Sequence, residues 1–312
     1  MTTAKTRKNR INQGETVSGH AFNLFNTLFF LLFALSCVFP FYYLFINTIS
    51  DNTLVQRGLI NFFPVGVNFN NYLSLRDVSD VGSAFLVSLS RTALGTVLMV
   101  MASSFVGYLV TKKDMWQRTF WYRFLIITMY FNAGLIPSYL NMVMLGLTNN
   151  FLVYIIPGIV APFNIILVKT YIESIPAELE ESALMDGAGY LKIFTSIIWP
   201  LSIPILATIA IFGAVGHWNS FTDSLIYMQS TPKLYTLQHR LYIYLNTNTN
   251  LGALLGGGSV DSATAAQLME NTLNAKVIKY TISMVTIIPI LLVYPFMTRY
   301  FQKGIMLGAV KG

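Results

Sequence analysis

Charged residues are scarce in this sequence of 312 residues. Only 11% are Asp, Glu, Lys or Arg, whereas soluble domains carry about 25%. Hydrophobic residues make up 54% of the chain and aromatic residues 14%, and the mean hydropathy is +0.57. A soluble globule of this composition would need a larger apolar core than its polar surface could cover. The composition therefore favours a protein that crosses a membrane several times.

Cysteine, histidine and common enzyme motifs are also rare or missing. Cys37 is the single cysteine, so no disulfide forms within the chain. The three histidines, His20, His217 and His239, are far apart and lack the spacing of metal ligands. Neither G-x-x-x-x-G-K-[ST] nor G-x-S-x-G occurs in the sequence. We therefore expect a chain that is not an enzyme and binds no cofactor or metal of its own.

Six apolar stretches are long enough to cross a bilayer, which takes about 20 residues. They cover approximately residues 22–48, 84–110, 119–143, 151–172, 201–228 and 279–300. The third is the weakest, because Asn132, Gly134 and Pro137 interrupt it. Such breaks occur where neighbouring helices or a water-lined cavity satisfy the freed backbone groups. The predicted fold is an all-α integral membrane protein with six transmembrane helices.

Lysine and arginine in the short connections predict the orientation of these helices. Basic residues occur in the N-terminal tail, after the second stretch and in the C-terminal tail: Lys5, Arg7, Lys8, Arg10; Lys112, Lys113, Arg118, Arg123; Arg299, Lys303, Lys311. The region from Asn132 to Asn150 has no charged residue and suits the outside. Both termini are therefore expected in the cytoplasm, and the net charge of +7 reflects membrane anchoring and not nucleic-acid binding.

The same topology divides the chain into segments. Residues 1–20 form a cytoplasmic tail, and residues 21–312 form one transmembrane domain. Within that domain we expect a cytoplasmic loop at 174–200, an extracellular loop at 229–278 that contains the tract Gly252–Gly258, and a cytoplasmic tail at 301–312.

The connection between the fourth and fifth stretches is acidic and predicts a short helical hairpin. Ser174 is predicted to cap the first helix, and Pro176 suits its first turn. Asp186-Gly187 ends that helix in a turn, because glycine takes a positive φ without steric cost. A second short helix, about 189–198, leads to Pro200 at the start of the fifth stretch. A helix on the membrane surface carries basic residues on its polar face. The acidic residues favour a basic protein partner, with an ordinary amphipathic linker as the alternative.

The sequence of this connection resembles a known motif. Glu181-Ser182-Ala183-x-x-Asp186-Gly187-Ala188, followed by Phe194, Ile197 and Pro200, is similar to the EAA loop of ABC importer permeases, which usually reads EAA-x-x-DGA. Ser182 departs from that motif by one hydroxyl and keeps the surface small.

Three further stretches resemble the carbohydrate branch of that family, the maltose-type permeases. They are Trp218-Asn219-Ser220-Phe221, the C-terminus from Tyr300 to Gly312, and FNAGLIPSYL followed by LGLTNN at 131–140 and 145–150. The last resembles the group of permeases for oligosaccharides derived from polysaccharides and for lipo-oligosaccharides.

This resemblance implies a transmembrane subunit of a binding-protein-dependent importer in the bacterial plasma membrane. The implied partners are a second, related permease chain, two ATPase subunits that use ATP and Mg, an extracellular sugar-binding protein and membrane lipid. The residues implied to contact the ATPase are Glu178, Glu181, Ser182, Ala183, Asp186, Gly187 and Ala188. A secondary transporter driven by an ion gradient is the alternative, although the chain lacks the internal repeat expected of one.

Ionisable residues inside an apolar stretch are candidates for function, because their burial is costly. Arg91 lies in the second stretch and Asp223 in the fifth, both in the outer third when counted at about 1.5 Å per residue. Two interpretations are open: the residues pair with each other, or each reaches the headgroups. Arg91 also leaves room for an acidic oligosaccharide as the substrate.

Aromatic faces beside amide groups suit sugars, which offer flat C–H patches and many hydroxyls. The remaining candidates for the substrate path are Tyr130, Asn132, Trp218, Asn219 and Tyr227. Packing or placement at the membrane interface is the alternative for each aromatic residue.

Overall fold

The computed structural model describes residues 17–77, 79–247 and 276–295. Every regular element within these ranges is a helix, and none is a strand, which confirms the predicted all-α class. Most of the N-terminal tail, the tract Gly252–Gly258 and the C-terminal tail 301–312 lie outside the described residues.

The helices vary widely in length. In chain order they are α1 Val17–Thr48, α2 Asn52–Gln56, α3 Asn70–Asp77, α4 Ser79–Thr111, α5 Arg118–Tyr130, α6 Leu135–Met144, α7 Pro162–Ile172, α8 Glu178–Met185, α9 Tyr190–Ile193, α10 Trp199–Leu201, α11 Ile203–Asn219, α12 Thr222–Tyr227, α13 Leu237–Thr247 and α14 Lys276–Pro295. Short 3-10 helices lie at Phe151–Tyr154, Ile156–Gly158 and Pro232–Leu234, and a π-helix lies at Phe194–Ile198.

Three of these helices are long and apolar enough to cross a membrane. They are α1 from Ala21 to Thr48, α4 from Asp80 to Thr111, and α14. Two bent pairs also qualify: Phe151–Gly158 with α7 at 42°, and Tyr190–Leu201 with α11 at 78°. The described part of the chain thus holds three candidate spans, or five when each bent pair is one span.

The third apolar stretch is divided between two helices. Helix α5 ends at Tyr130, and α6 begins at Leu135 after Gly134, which has a φ of 86°. The predicted break is therefore present. Pro137 does not contribute to it, because this residue lies in the first turn of α6, where an N–H has no helical acceptor.

The fourth and fifth stretches are not single helices either. Residues 151–158 form two 3-10 turns before α7 begins. The stretch 201–228 is interrupted twice, at Ser202 before α11 begins and between Asn219 and Thr222, where α11 ends and α12 begins. Pro200 was predicted to start this stretch, but it lies inside α10, and α11 begins only after the bend at Ser202. Prolines suit the first turn of a helix, and Pro204 takes that role in α11.

The chain divides after Asn70 into two units. In the first unit, the loop after α2 folds back along α1. The Tyr42 hydroxyl donates to the Phe62 carbonyl at 2.7 Å, and the rings of Phe39 and Phe62 are 5.9 Å apart. Asp51 caps α2 by accepting the amides of Thr53 and Leu54, and hydrogen bonds, above all that from the Thr53 side chain, lower the pKa of Asp51.

In the second unit, α4 packs along both α7 and α11. Glycines permit the close approach of these helices, as is common in membranes. A Cβ on Gly107 would lie 3.0 Å from Val168 of α7, and a Cβ on Gly213 would lie 2.6 Å from Met99 of α4.

A buried apolar cluster lies where α4, α7, α11 and the segment around Phe194 meet. Its members are Tyr108, Val168, Ile172, Ile193, Phe194, Ile198, Leu206 and Ile209. This cluster supports residues 174–200, named here the coupling segment after the ATPase contact that the sequence predicts for it.

Candidate functional site

The first helix of the coupling segment begins later than the sequence predicts. Helix α8 starts at Glu178, and its N-cap residue Ala177 provides no side-chain cap. The predicted cap at Ser174 is wrong, because the Ser174 hydroxyl donates to the Tyr171 carbonyl at 2.6 Å, at the end of α7. The carbonyls in the last turn of a helix lack intrahelical donors, so the Tyr171 carbonyl is available to accept the Ser174 hydroxyl.

The end of α8 agrees with the prediction. Gly187 has a φ of 78°, and its amide donates to the Leu184 carbonyl at 3.0 Å. The Ala188 amide donates to the Ala183 carbonyl at 3.0 Å. This pair of bonds is a Schellman motif, which requires a left-handed residue after the C-cap. The predicted turn at Asp186-Gly187 is confirmed.

The residues of the EAA-like motif divide into supported and exposed positions. Ala183 and Ala188 are half-buried and pack on the apolar cluster. The other five, Glu178, Glu181, Ser182, Asp186 and Gly187, are exposed, as are the neighbouring Leu184 and Met185. The segment thus presents carboxylates, small side chains and two large apolar side chains on a supported turn. Contact of these residues with an ATPase stays a prediction.

Two acidic residues of this region are engaged within the chain. Both carboxylate oxygens of Glu180 accept the Lys112 ammonium, and the Tyr108 hydroxyl donates to Glu180 at 3.2 Å. Glu173 lies 3.5 Å from Arg118 and 2.9 Å from Lys169. These two carboxylates are therefore paired within the chain, and contact of the acidic connection with a basic partner stays a prediction. The sequence held a signal for these pairs, because the basic connection after α4 and the acidic connection after α7 were both predicted to lie in the cytoplasm.

A further polar contact joins the same two connections. The Tyr190 hydroxyl, at the start of α9, donates to Asp114 at 3.1 Å. This hydrogen bond and the negative charge of Asp114 raise the pKa of Tyr190. Tyr190 therefore stays protonated and keeps its role as donor.

Arg91 and Asp223 form a buried ion pair. Arg91 Nη1 donates to Asp223 Oδ1 at 3.1 Å and to the Ser220 carbonyl at 3.1 Å, while Nη2 binds Asp223 Oδ2. The guanidinium lies 4.7 Å from the centroid of the Tyr154 ring. The pairing is confirmed, and because the Arg91 side chain is only 3% exposed, it does not snorkel to the headgroups. Arg91 connects α4 to the break between α11 and α12.

His217 is a third ionisable residue in this region that the sequence did not single out. A Cβ on Gly95 of α4 would lie 2.5 Å from His217 Nε2, and a Cβ on Gly158 would lie 3.5 Å from His217 Cε1. The imidazole therefore fills a space between two glycines. In the sequence, only the glycines at positions 95 and 158 could have indicated this space for the imidazole.

The other candidates for the substrate path differ in exposure. Trp218 is buried beside Phe85, and its indole N–H donates to the Thr286 carbonyl at 3.0 Å, so this residue takes the packing role. Tyr227 stacks on Tyr139 at 6.0 Å, and Asn219 accepts from Gln238 at 3.3 Å.

The last two candidates lie at the break between α5 and α6. Tyr130 is 80% exposed, and Asn132 accepts the Gly134 amide at 2.9 Å. A role of any candidate in a substrate path stays a prediction.

The region after α12 folds back on the start of α4. The Leu237 amide donates to Ser88 Oγ at 2.8 Å, and His239 Nδ1 lies 2.9 Å from Ser224 Oγ. Burial is the main cause that lowers the pKa of His239, with the Arg240 cation adding to it. Arg240 in turn pairs with Asp80 at 3.2 Å.

Comparison with known proteins places these features in a family. The sequence pattern of the binding-protein-dependent transport system inner membrane component matches residues 20–307. A polygalacturonan/rhamnogalacturonan transport system permease protein of Bacillus subtilis, YtcP, is 32% identical over 284 residues, which cover 91% of this chain and 96% of the relative. An arabinooligosaccharides transport system permease protein of Halalkalibacterium halodurans, AraQ, is 28% identical over 92% of this chain and 95% of the relative.

A solved structure agrees with these relatives. A chain of a bacterial ABC transporter involved in the import of the acidic polysaccharide alginate superposes with a TM-score of 0.81 at 29% identity, over 93% of this chain and 100% of that chain. Helical architecture, apolar spans and sequence thus agree, and this chain belongs to the family of binding-protein-dependent transport system inner membrane components.

Proposed function

We propose that this chain is one of two transmembrane subunits of an ATP-driven importer of oligosaccharides derived from polysaccharides. Six spans with both termini in the cytoplasm place residues 1–20, the coupling segment and residues 301–312 on the inner side of the bacterial plasma membrane. The loop at 229–278 faces outward. Residues 21–312 act as one transmembrane domain.

The observation that carries this proposal is the form of the coupling segment. The Schellman turn at Gly187 leaves Glu181, Ser182 and Met185 exposed on a helix that the apolar cluster supports from behind. A surface of small, acidic and apolar side chains suits a protein partner. The partner is an ATPase subunit that uses ATP and Mg, because members of this family transport their cargo without a nucleotide site of their own.

The remaining partners follow from the family. The chain pairs with a second, related permease chain, and two ATPase subunits bind beneath the pair. An extracellular sugar-binding protein delivers the substrate. When the ATPases close, they move the coupling segment together with α7 and α11, and the central cavity changes from inward-facing to outward-facing.

The substrate class rests on the relatives and on the candidate path. The relatives transport polygalacturonan or rhamnogalacturonan and arabinooligosaccharides, according to their names. Among the described candidates, Tyr130, Asn132, Asn219 and Tyr227 offer aromatic faces, amides and a hydroxyl to a long, hydroxyl-rich chain. Arg91 is occupied by Asp223. This arginine therefore offers no free cation to an acidic sugar.

Two experiments test the proposal. Purification of the chain in mild detergent from its native host should recover an ATPase and a second permease. Glu181→Lys should lose the ATPase and keep the second permease. Recovery of the chain without any ATPase would contradict the proposal, as would uptake that persists when ATP is depleted and the proton gradient is kept.

The second experiment concerns the substrate. The reconstituted complex with its binding protein is tested for stimulation of ATP hydrolysis by oligogalacturonides, neutral arabino-oligosaccharides, galacturonic acid and amino acids. We expect stimulation by one oligosaccharide class. Stimulation by an amino acid or a free monosaccharide, with none from any oligosaccharide, rules out this substrate class.

A further inference from the structure

The end of α4 at Thr111 is tied to the coupling segment by charged contacts within the chain. The Lys112 ammonium binds both oxygens of the Glu180 carboxylate and lies 4.2 Å from the centroid of the Tyr108 ring. Tyr108 donates to the same carboxylate. The side chains of Lys112 and Glu180 are only 15% and 19% exposed. Solvent and salt therefore screen this pair less than an exposed one.

Other contacts also join the region around the end of α4 to the coupling segment. Tyr190, at the start of α9, donates to Asp114 at 3.1 Å. The ring of Phe194 packs on Tyr108 at 5.2 Å and on Phe105 at 5.7 Å. The end of α4 and the connection that follows it thus contact the coupling segment in α8, in α9 and at the π-helix.

The Arg91–Asp223 pair lies further toward the N-terminus of the same helix. Helix α4 is continuous from Ser79 to Thr111, and its rise of about 1.5 Å per residue places Arg91 about 30 Å from the last residue of the helix. Arg91 binds both Asp223, in the first turn of α12, and the Ser220 carbonyl at the break after α11. One helix therefore connects the coupling segment to the break between α11 and α12.

We propose that Lys112 and Glu180 are positioning residues that make α4 move with the coupling segment. Displacement of the segment is carried along α4 to Arg91 and from there to the break at Ser220. This inference rests on the proposed function, in which an ATPase moves the segment. It adds a third route to the two helices, α7 and α11, that are joined to the segment by the chain itself.

This role separates transmission from docking. Glu180 points toward α4, whereas Glu181 and Ser182 are exposed. Loss of the Lys112–Glu180 pair should leave the docking surface in place and interrupt the transfer of movement to Asp223. If the pair had a purely structural role, its loss would lower the amount of assembled complex instead.

The test uses a reporter in α12, next to the residue that Arg91 of α4 binds. Thr222 is exposed beside Asp223, and Thr222→Cys is introduced together with Cys37→Ser in the complex reconstituted with its ATPase. The rate of reaction with an impermeant maleimide is measured without nucleotide and with ATP and vanadate. The variants are Lys112→Glu, Glu180→Lys and the double exchange. Lys113→Glu is the matched control, because it changes the charge equally at an exposed neighbouring position.

We expect a nucleotide-dependent change of the rate in the parent and in Lys113→Glu. In each single variant the two rates become equal, while ATPase content and ATP hydrolysis are retained. The double exchange restores the difference. Equal behaviour of the single variants and Lys113→Glu, or no recovery in the exchange, overturns the proposal.

Two further outcomes keep the proposals distinguishable. A single variant that is not recovered from the membrane is replaced by Glu180→Gln, which keeps an acceptor for Lys112 and Tyr108 and should show a reduced difference. A parent chain that binds no ATPase, or that binds ATPase unaffected by Glu181→Lys, contradicts the proposed function itself. If the parent chain behaves as proposed but the single variants keep the nucleotide-dependent difference in labelling rate, only the role of Lys112 and Glu180 is contradicted.

Discussion

The Ala188 amide donates to the Ala183 carbonyl across 3.0 Å and closes the end of α8. The bond forms only because Gly187, between them in the turn, has a φ of 78°. A side chain at this position meets no neighbouring atom within 4 Å. The requirement for glycine is therefore conformational and not a matter of space.

Gly187→Val should weaken this turn. A left-handed conformation costs an L-residue about 1–2 kcal/mol, and a β-branched residue is among the least tolerant. We expect the variant to remain in the membrane and to recover less ATPase on purification, with lower transport. Retention of normal transport in this variant and in Glu181→Lys would show that the coupling segment does not couple this chain to the ATPase.

Gly189→Val is the matched control for that prediction. Gly189 also has open space around its Cα, but its φ of −73° and ψ of 159° are accessible to valine. The control should recover ATPase like the parent. An equal loss in both variants would mean that the added bulk, and not the backbone, is responsible.

The Arg91–Asp223 pair should be costly to break from one side. Removal of one partner of a buried pair leaves an uncompensated charge and costs about 3–5 kcal/mol. Arg91→Ala and Asp223→Ala should each lower the thermal stability of the purified chain and its transport. The exchange Arg91→Asp with Asp223→Arg should restore part of both.

Asp80→Ala provides the comparison for this pair. Asp80 pairs with Arg240, but its side chain is 52% exposed, and such pairs contribute under about 1 kcal/mol. Its effect on stability should be small. Independent, additive effects of the two substitutions at positions 91 and 223 would show that the pair contributes no coupling energy.

The contact of α13 with the start of α4 should depend on pH. Burial, followed by the Arg240 cation, lowers the pKa of His239 below its ordinary value of 6.5, and the negative charge of Asp223 partly opposes this shift. The docked state thus favours neutral imidazole. Its stability is fully present above pH 6.5 and is lost as the pH falls below that value through the lowered pKa.

Hydrogen exchange of the α13 amides measures this dependence. Exchange, corrected for its intrinsic pH dependence, should become faster in acid, above all at Leu237, whose amide donates to Ser88. His239→Gln should remove the dependence between pH 5 and 7. An identical pH profile in the variant would assign the effect to another group.

Cysteine labelling tests the proposed topology. In a Cys37→Ser background, cysteines at Asn150 and Ser259 should react with an impermeant thiol reagent in intact cells, and a cysteine at Lys113 should not. Ser259 lies outside the described residues, so its result tests the sequence prediction alone. Protection of both Asn150 and Ser259 would overturn the arrangement of six spans.

Local turn chemistry was the part of the site that could be predicted from sequence. Asp186-Gly187 is sufficient to indicate the end of α8, because the φ required at Gly187 depends on few neighbours. The start of α8 was not predictable in the same way. Ser174 had two acceptable roles, and the position at which α7 ends decided between them.

Long-range polar contacts could be predicted only as complementary charges. The sequence indicated that Arg91 and Asp223 lie at similar depth, but the rotation of α4 and α11 decides whether they meet. The pairing of Lys112 with Glu180 was missed although both connections were assigned to one side. A count of charges cannot show which of several neighbouring carboxylates points inward.

Helix breaks inside apolar stretches were the least predictable feature of the fold. Asn132 and Gly134 indicated one of them, and Pro200 and Pro204 flank the bend at Ser202. The break at Ser220 had no comparable local signal. This break depends on contacts from another helix, since Arg91 binds the Ser220 carbonyl.

The separation of Arg91 and Asp223 in the chain also has a consequence for biosynthesis. The two residues are 132 positions apart, which at about 5–20 residues per second corresponds to roughly 7–26 s of translation. During this interval Arg91 is already part of an apolar helix, and its partner has not yet been synthesised. An unpaired arginine carries an insertion cost that reaches about 2.5–3.5 kcal/mol at the centre of a membrane helix and is lower in the outer third, where Arg91 lies. The surrounding apolar residues of α4 must offset that cost while the ribosome completes the chain, so the early insertion of α4 depends on its own hydrophobicity alone.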